Sequence, residues 1–360
     1  MRIAIVTDAW HPQVNGVVTT LSRTVAILRE AGHEVMVIQP WMFKTFPCPT
    51  YPEIRLSLFP GRKIRKIFDV FAPDAIHIAT EGFLGWSARS YCLKKGLRFT
   101  TSYHTRFPEY IRLRVPIPLH FSYVYMRRFH AKATRTMVAT DELRSELSQY
   151  GFRNLTLWSR GVDTEIFKPW AKSFLTDQRP IYVFVGRVAV EKNIEEYLKL
   201  ELSGTKYVIG AGPALKEMQK KYPHVRFTGY KKGIALARHM AAADVFVFPS
   251  RTDTFGLVML EAMACGLPVA AYPVAGPKNI VRQGVTGVLN EDLGKAVQEA
   301  LALDGHACRL SAGKYSWKKC TAQFFSNLAI PAAGKSSVDV ADAILQTDRV
   351  NCARTADGQG

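Results

Sequence analysis

A chain of 360 residues with 48% hydrophobic residues is long for one core and comfortable for two domains. Lys and Arg number 48 against 30 Asp and Glu, and the net charge of +18 needs an anionic partner or surface, with nucleic acid and anionic lipid as candidates. The six cysteines (Cys48, Cys92, Cys265, Cys308, Cys320, Cys352) form no C-x-x-C pair and no array with histidine, so they suggest neither a zinc site nor a disulfide framework, and a reducing, cytosolic setting is expected.

In chain order, Ile3 to Val6 reads as a buried strand, Asn15 to Val18 as a turn, Thr20 to Ala31 as an apolar-periodic helix stopped by Gly32, and Val35 to Ile38 as a second strand. This is a βαβ opening of the doubly wound kind without G-x-G-x-x-G. Further strands are expected at Ala75 to Ile78, Phe99 to Tyr103 and Thr136 to Ala139. A second opening starts at Ile181 to Val185, followed by strands at Tyr207 to Ile209, Val225 to Phe227, Val245 to Phe248 and Val269 to Ala271. Alternation of strand and helix implies mostly parallel sheets, and ligands of such sheets bind outside the carboxyl ends of the strands. The boundary is expected between about Phe167 and Pro180, which gives domains of 1–170 and 171–330. The tail, 331–360, is rich in Ala, Ser, Gly and Asp and is expected to be mobile apart from a short helix at Val338 to Leu345. The apolar run at Met1 to Asp8 is too short for a signal peptide, and no stretch reaches the length of a membrane span; at a membrane, such a protein would lie on the surface.

The chemistry concentrates in Ser250 to Val269. Pro249 ends a strand, Leu257 to Ala264 are strong helix formers, and Gly266 stops them, so the turn at Phe255, Gly256 and Leu257 sits at a helix start and offers backbone N–H groups to phosphate or sugar hydroxyls. Asp253 before the turn and Glu261 on the helix are carboxylates suited to vicinal hydroxyls of a hexose or ribose. Upstream, Gly186 to Asn193 joins a strand to a helix, with Arg187 and Lys192 placed to hold a diphosphate and to favour the charge that grows on it as it departs. Taken singly, such residues are more often a helix cap and solvated charges.

Taken together, they resemble the retaining glycosyltransferases of family 4, with the carboxylate-x7-carboxylate spacing of Asp253 to Glu261 and the Gly-Arg…Glu-Lys string of 186–192. Asp253 departs from the Glu usual there. The resemblance covers about Met1 to Leu328 and implies an α/β fold of GT-B type, two Rossmann-like domains facing a cleft, with Tyr315 to Leu328 as the late helix that returns to the first domain. By resemblance, the loop of Asn15 and Gly16 approaches donor phosphate and acceptor, His104 bonds the donor hexose, Arg106 recognises an acidic sugar or the acceptor, and Arg160 and Asp163 are cleft residues or an interdomain brace. Asp8 is a weaker candidate. The expected catalytic set is His104, Asp253, Arg187 and Lys192; Gly16, Phe255, Gly256, Leu257 and Glu261 bind donor, and Asn15, Arg106 and Asp163 meet acceptor or sugar.

The resemblance further implies retention of configuration by front-face attack, with the leaving phosphate taking the acceptor proton and no side-chain base. No Asp-x-Asp pair stands at a strand end, and the two cations make a metal unnecessary, so neither metal nor cofactor is expected. Two segments interleave cations with large apolar groups: 56–68, with Arg62, Lys63, Arg65 and Lys66, and 112–135, with Phe121, Tyr123, Tyr125, Met126 and Phe129 among Arg127, Arg128 and Lys132. Such helices lie in the interface of an anionic bilayer, or else pack as ordinary amphipathic helices on a sheet. Ala79 to Trp86 and the histidine segment look most like bacterial enzymes that glycosylate diacylglycerol from UDP-sugars, which implies transfer of glucose or glucuronate at the cytoplasmic membrane face. The rivals are a GDP-mannose-dependent mannosyltransferase acting on a phosphoinositide or other acceptor, a nucleotide-sugar epimerase and, ranked low for want of zinc-finger spacing or an RNP-like string, a nucleic-acid binder.

Overall fold

The computed structural model describes residues 1–48, 53–112, 118–330 and 344. Two compact units emerge: Met1–Pro108, Ile117–Arg160 and Trp317–Gly360 form one, and Glu109–Pro116 with Gly161–Ser316 form the other. The main changeover, at Gly161, precedes the 167–180 run in which the sequence suggests a boundary. All of the tail 331–360 except Ile344 lies outside the described residues.

Up to Leu157 the elements run β1 (Arg2–Val6), α1 (Gly16–Glu30), β2 (Glu34–Ile38), β3 (Thr45–Pro47), β4 (Arg55–Ser57), α2 (Gly61–Phe71), β5 (Ala75–Ile78), α3 (Phe83–Lys95), β6 (Thr100–Tyr103), α4 (Phe107–Arg112), α5 (Leu119–His130), β7 (Thr136–Val138), α6 (Asp141–Gln149) and β8 (Leu155–Leu157), all in the first unit except α4 from Glu109 onward, which counts with the second. The principal sheet is parallel, in the order β2-β1-β5-β6-β7-β8, and β3 and β4 form a separate antiparallel pair. Four of the five β1 residues are buried, as befits a strand covered on both faces. The expected turn at Asn15 to Val18 is instead a helix start. Asn15 is the N-cap, its Oδ1 accepting from Val18 N at 3.0 Å, so α1 begins at Gly16 rather than Thr20.

The second unit contains β9 (Ile181–Val185), α7 (Ile194–Lys199), β10 (Thr205–Ile209), α8 (Leu215–Lys221), β11 (Arg226–Gly229), α9 (Gly233–Ala242), β12 (Val245–Phe248), α10 (Leu257–Ala264), β13 (Val269–Ala271), α11 (Ala275–Ile280), β14 (Gly287–Leu289), α12 (Leu293–Ala300) and α13 (Gly305–Ala312). Its parallel sheet has the order β11-β10-β9-β12-β13-β14. The order reverses between β9 and β12, which are neighbours through Val245 beside Tyr182 and Phe246 beside Val183. Crevices of doubly wound sheets open at such switch points. The chain then adds α14 (Trp317–Asn327) to the first unit, where Phe324 and Phe325 are fully buried in a core with Leu21, Val25 and Trp158.

Candidate functional site

The loops leaving β9 and β12 start side by side because their strands pair, and this brings distant motifs together. After β9 the chain runs through Gly186 and Arg187 to a 3-10 turn at Val190–Lys192. After β12 it runs through Pro249 to the left-handed Gly256 that opens α10. Thr252 Oγ1 donates to the Glu191 carbonyl at 3.1 Å, and Asn193 Nδ2 donates to the Pro249 carbonyl at 3.2 Å, tying the two loops. Between them Lys192 Nζ donates to Asp253 Oδ1 at 2.5 Å. Burial works against the ammonium charge, but Asp253, then Tyr110 and Glu191, outweigh it and hold Lys192 above its usual pKa. The other carboxylate oxygen, Asp253 Oδ2, is buried and has no hydrogen-bond partner among the described residues.

Gly256 has φ +85, and a Cβ there would lie 2.6 Å from Met259 Cε and 3.1 Å from Phe248 Cζ, so the turn requires glycine. Phe255 is buried with its ring edge-on to Tyr315, while Leu257 and Glu261 are half-buried on α10. Arg187 is also half-buried. Two aromatic residues near this site were passed over in the sequence. Tyr110, in the short segment that counts with this unit, hydrogen-bonds Thr252; burial raises its phenol pKa, with Lys192 opposing and Asp253 adding. Tyr230, directly after β11, is half-exposed, and burial, then the Glu261 charge, raises its pKa. The signal for Tyr230 was its place at a strand's carboxyl end; for Tyr110 there was none beyond its membership of the histidine segment.

In the first unit the same logic gathers residues at the ends of β1, β5 and β6. Asp8 follows β1, accepts from Thr80 Oγ1 at 2.9 Å and from Leu84 N at 3.1 Å, and so caps α3 from a distance. Gly82 makes room: a Cβ there would sit 2.4 Å from Asp8 Cγ. His104 follows β6 and is buried, with Nε2 2.8 Å from Ser102 Oγ and Nδ1 3.2 Å from Arg160 Nη2. Burial, then the Arg160 guanidinium and the neighbouring imidazoles of His77 and His130, pulls its pKa well below the usual value, so the ring is neutral. Asn15 is occupied with its cap, and Gly16 is exposed at the start of α1. Arg106 forms a two-pronged ion pair with Glu146. In the second unit, Asp163 Oδ1 accepts from the backbone N–H groups of Glu165 and Ile166 at 3.2 and 3.3 Å, a local turn.

The description "Glycosyltransferase Family 4" matches residues 14–166, and "Glycosyl transferases group 1" matches 179–303. A GDP-mannose-dependent alpha-mannosyltransferase of Mycobacterium tuberculosis is 30% identical, covering 80% of this chain and 83% of its own. A sulfoquinovosyl transferase of Arabidopsis thaliana is 31% identical over 86% of this chain and 69% of its own. The chain belongs to glycosyltransferase family 4. An alpha-monoglucosyldiacylglycerol synthase of Streptococcus pneumoniae is 26% identical over 84% of this chain and 78% of its own. Among solved structures, the sucrose-phosphate synthase of Thermosynechococcus elongatus superposes with TM-score 0.72 at 21% identity, covering 90% of this chain and 97% of that one. The two parallel-sheet units of this family 4 enzyme are those of the GT-B fold.

On the surface of this glycosyltransferase, Arg62, Lys63, Arg65 and Lys66 all project from α2 into solvent. The apolar side of α2, Ile64, Phe68 and Phe71, is buried in the enzyme's own core, which leaves the cations on the exposed side, where Lys63 Nζ also donates to the Met42 carbonyl. The apolar groups left in water beside it are Leu58, Phe59, at 94% exposure with φ +43, and Val70, at 85%. On α5, Tyr123, Met126 and Phe129 are likewise core residues, a correction to their expected insertion, while Phe121, Tyr125, Arg127 and Arg128 face water. Among the described residues no helix is long and apolar enough to cross a membrane.

Proposed function

We propose that the enzyme moves a hexose or hexuronate, glucose or glucuronate, from a UDP-sugar to a membrane lipid, diacylglycerol, with retention of configuration and without a metal. The observation that carries the donor half is Lys192 joined to Asp253 beside the Gly256 turn. A cation for diphosphate, a carboxylate with one unpartnered oxygen for a sugar hydroxyl, and a helix N-terminus stand within one pair of loops. Glu261 would take the ribose hydroxyls, with the Tyr230 ring beside it available to the base, and Arg187 would share the diphosphate with Lys192.

In this reading the bond between the anomeric carbon and the diphosphate oxygen breaks, and a bond from that carbon to the acceptor oxygen forms on the same face. The acceptor's proton passes to the departing diphosphate, whose negative charge Arg187 and Lys192 offset as it grows. Placing the acceptor in a bilayer accounts for the four exposed cations of α2 and the solvent-facing Phe59. The enzyme then sits peripherally on the cytoplasmic membrane face.

A second reading is mannosyl transfer from GDP-mannose, favoured by the Mycobacterium tuberculosis relative of that name at 30% identity. Purified enzyme offered UDP-glucose, UDP-glucuronate and GDP-mannose in turn, with diacylglycerol or phosphoinositide vesicles, separates the two by the mass of the lipid product. A glycosylated diacylglycerol formed only from a UDP-sugar supports the first reading; a mannosylated lipid alone replaces it with the second. A changed nucleotide sugar with unchanged lipid would mark an epimerase.

A further inference from the structure

The proposed transfer leaves the buried cation of Arg160 without a task. Arg160 is 5% exposed, and among the described residues no carboxylate pairs with it. Its Nη1 donates to the carbonyl oxygens of Trp158 and Ser159 at 2.5 and 2.9 Å, its guanidinium carbon lies 4.8 Å from the centroid of the Trp158 ring, and Nη2 stands 3.2 Å from His104 Nδ1. A guanidinium has donors and no acceptor, and burial lowers its pKa only to about 10, so Arg160 stays charged at neutral pH. Nδ1 of His104 must therefore accept. An imidazole that accepts at Nδ1 and is neutral carries its hydrogen on Nε2, and Nε2 has Ser102 Oγ at 2.8 Å to receive it. Ser102 in turn donates to the Ala79 carbonyl at 3.3 Å.

We propose that Arg160 is a positioning residue that fixes His104 as the neutral Nε2–H tautomer and so bars it from acid–base chemistry in the transfer step. Protonating His104 at Nδ1 would turn an N–H against the guanidinium. The other titratable groups around the ring offer no relief. His77 reaches the same Ser102 Oγ at 3.1 Å and is held neutral, its pKa pulled down to about 3 by burial, then by His130. His130 bonds Thr101 and, at 3.1 Å, the carboxylate of Glu81, which is thereby taken. Of the surrounding aromatic groups, Trp158 meets the ring edge-on with centroids 5.5 Å apart. His104 is thus a rigid neutral wall whose orientation Arg160 sets, and the acceptor proton must go elsewhere. Only the effect on turnover rests on the proposed transfer; the state of the ring does not.

Nitrogen-15 NMR of histidine-labelled enzyme, with His104→Asn to assign the resonance, reads the tautomer directly. The wild type should show Nε2–H and bare Nδ1 unchanged from about pH 5 to 8. Arg160→Met should lose that fixed tautomer and begin to take a proton at the acid end, with a loss in kcat of about 10-fold, or about 1.4 kcal/mol, at similar KM. Arg160→Lys, which keeps a donor, should retain bare Nδ1, and Ser102→Ala should leave the tautomer as it is. A wild-type ring that carries hydrogen on Nδ1 or titrates within that range overturns the proposal, as does an Arg160→Met ring identical to the wild type's. These spectra need no substrate, so an enzyme inactive with every donor would sink the functional reading and leave this one standing.

Discussion

Lys192 and Asp253, 61 residues apart in the chain, share a hydrogen bond of 2.5 Å because the strands that precede them, β9 and β12, are neighbours in the sheet. Both side chains are about four-fifths buried, so the pair is shielded from salt but not sealed from a ligand.

Replacing Lys192 with Met should leave the Asp253 carboxylate poorly solvated and cost about 1–3 kcal/mol of stability in urea unfolding. A lysine whose folded pKa is raised contributes stability that is fully present below its unfolded value, about 10.4, and that is lost only as pH rises through the folded one. The difference between wild type and Lys192→Met should accordingly be flat across neutral pH and shrink only above about pH 10. A difference that changes between pH 6 and 8 would mean another group carries it.

Glu261→Ala should raise KM for the nucleotide sugar by about 10-fold or more, the worth of one charge-assisted hydrogen bond to ligand. Arg187→Ala should instead lower kcat while the melting temperature stays within a few degrees, because in the proposed transfer its charge offsets that of the leaving diphosphate. If steady-state kinetics of both variants match the wild type, the donor site lies elsewhere.

At the start of α3, Asp8 has a raised pKa, chiefly from burial, opposed by bonds from Leu84, Thr80 and Gly85. A carboxyl raised in the folded state contributes stability below its unfolded pKa and loses it as pH rises through the folded value. Asp8→Asn should therefore gain on the wild type as pH climbs from about 4, in denaturant titrations at stepped pH. Gly82→Ala should cost about 1–3 kcal/mol from the Cβ against Asp8 Cγ, and much less in an Asp8→Ala background.

Changing Arg62, Lys63, Arg65 and Lys66 together to Ser should release the enzyme from anionic vesicles in co-sedimentation, and raising salt should weaken the wild type in the same direction. Phe59→Ser should reduce binding with little change in its salt dependence, since an inserted ring acts through apolar area. Undiminished sedimentation of both variants would place the membrane contact on another face, with α5 and its exposed Phe121 and Arg128 next to be tested.

Much was legible from residue order alone. Strands β5, β9, β12 and β13 appear as read, since strands covered on both faces are unbroken apolar runs with clear stops. Helix α10 is bounded by glycines that its own geometry demands, and the spacing of Asp253 and Glu261 singles out the loop and helix on which the proposed donor site is built. Strands β8 and β14 and the β3–β4 pair escaped because three-residue strands that are only partly buried, unlike the fully buried β13, leave no unbroken apolar run to read. Side-chain use escaped for a different reason. That Arg106 pairs with Glu146, that Tyr123 and Phe129 face inward and that Arg160 meets His104 all depend on partners up to 56 residues distant. Periodicity, turn chemistry and motif spacing act within a dozen residues, and those the sequence by itself determined. Which charge neutralises which, and which ring faces water, was decided only when the sheet order set remote loops side by side, because electrostatics and burial act through space and not along the chain.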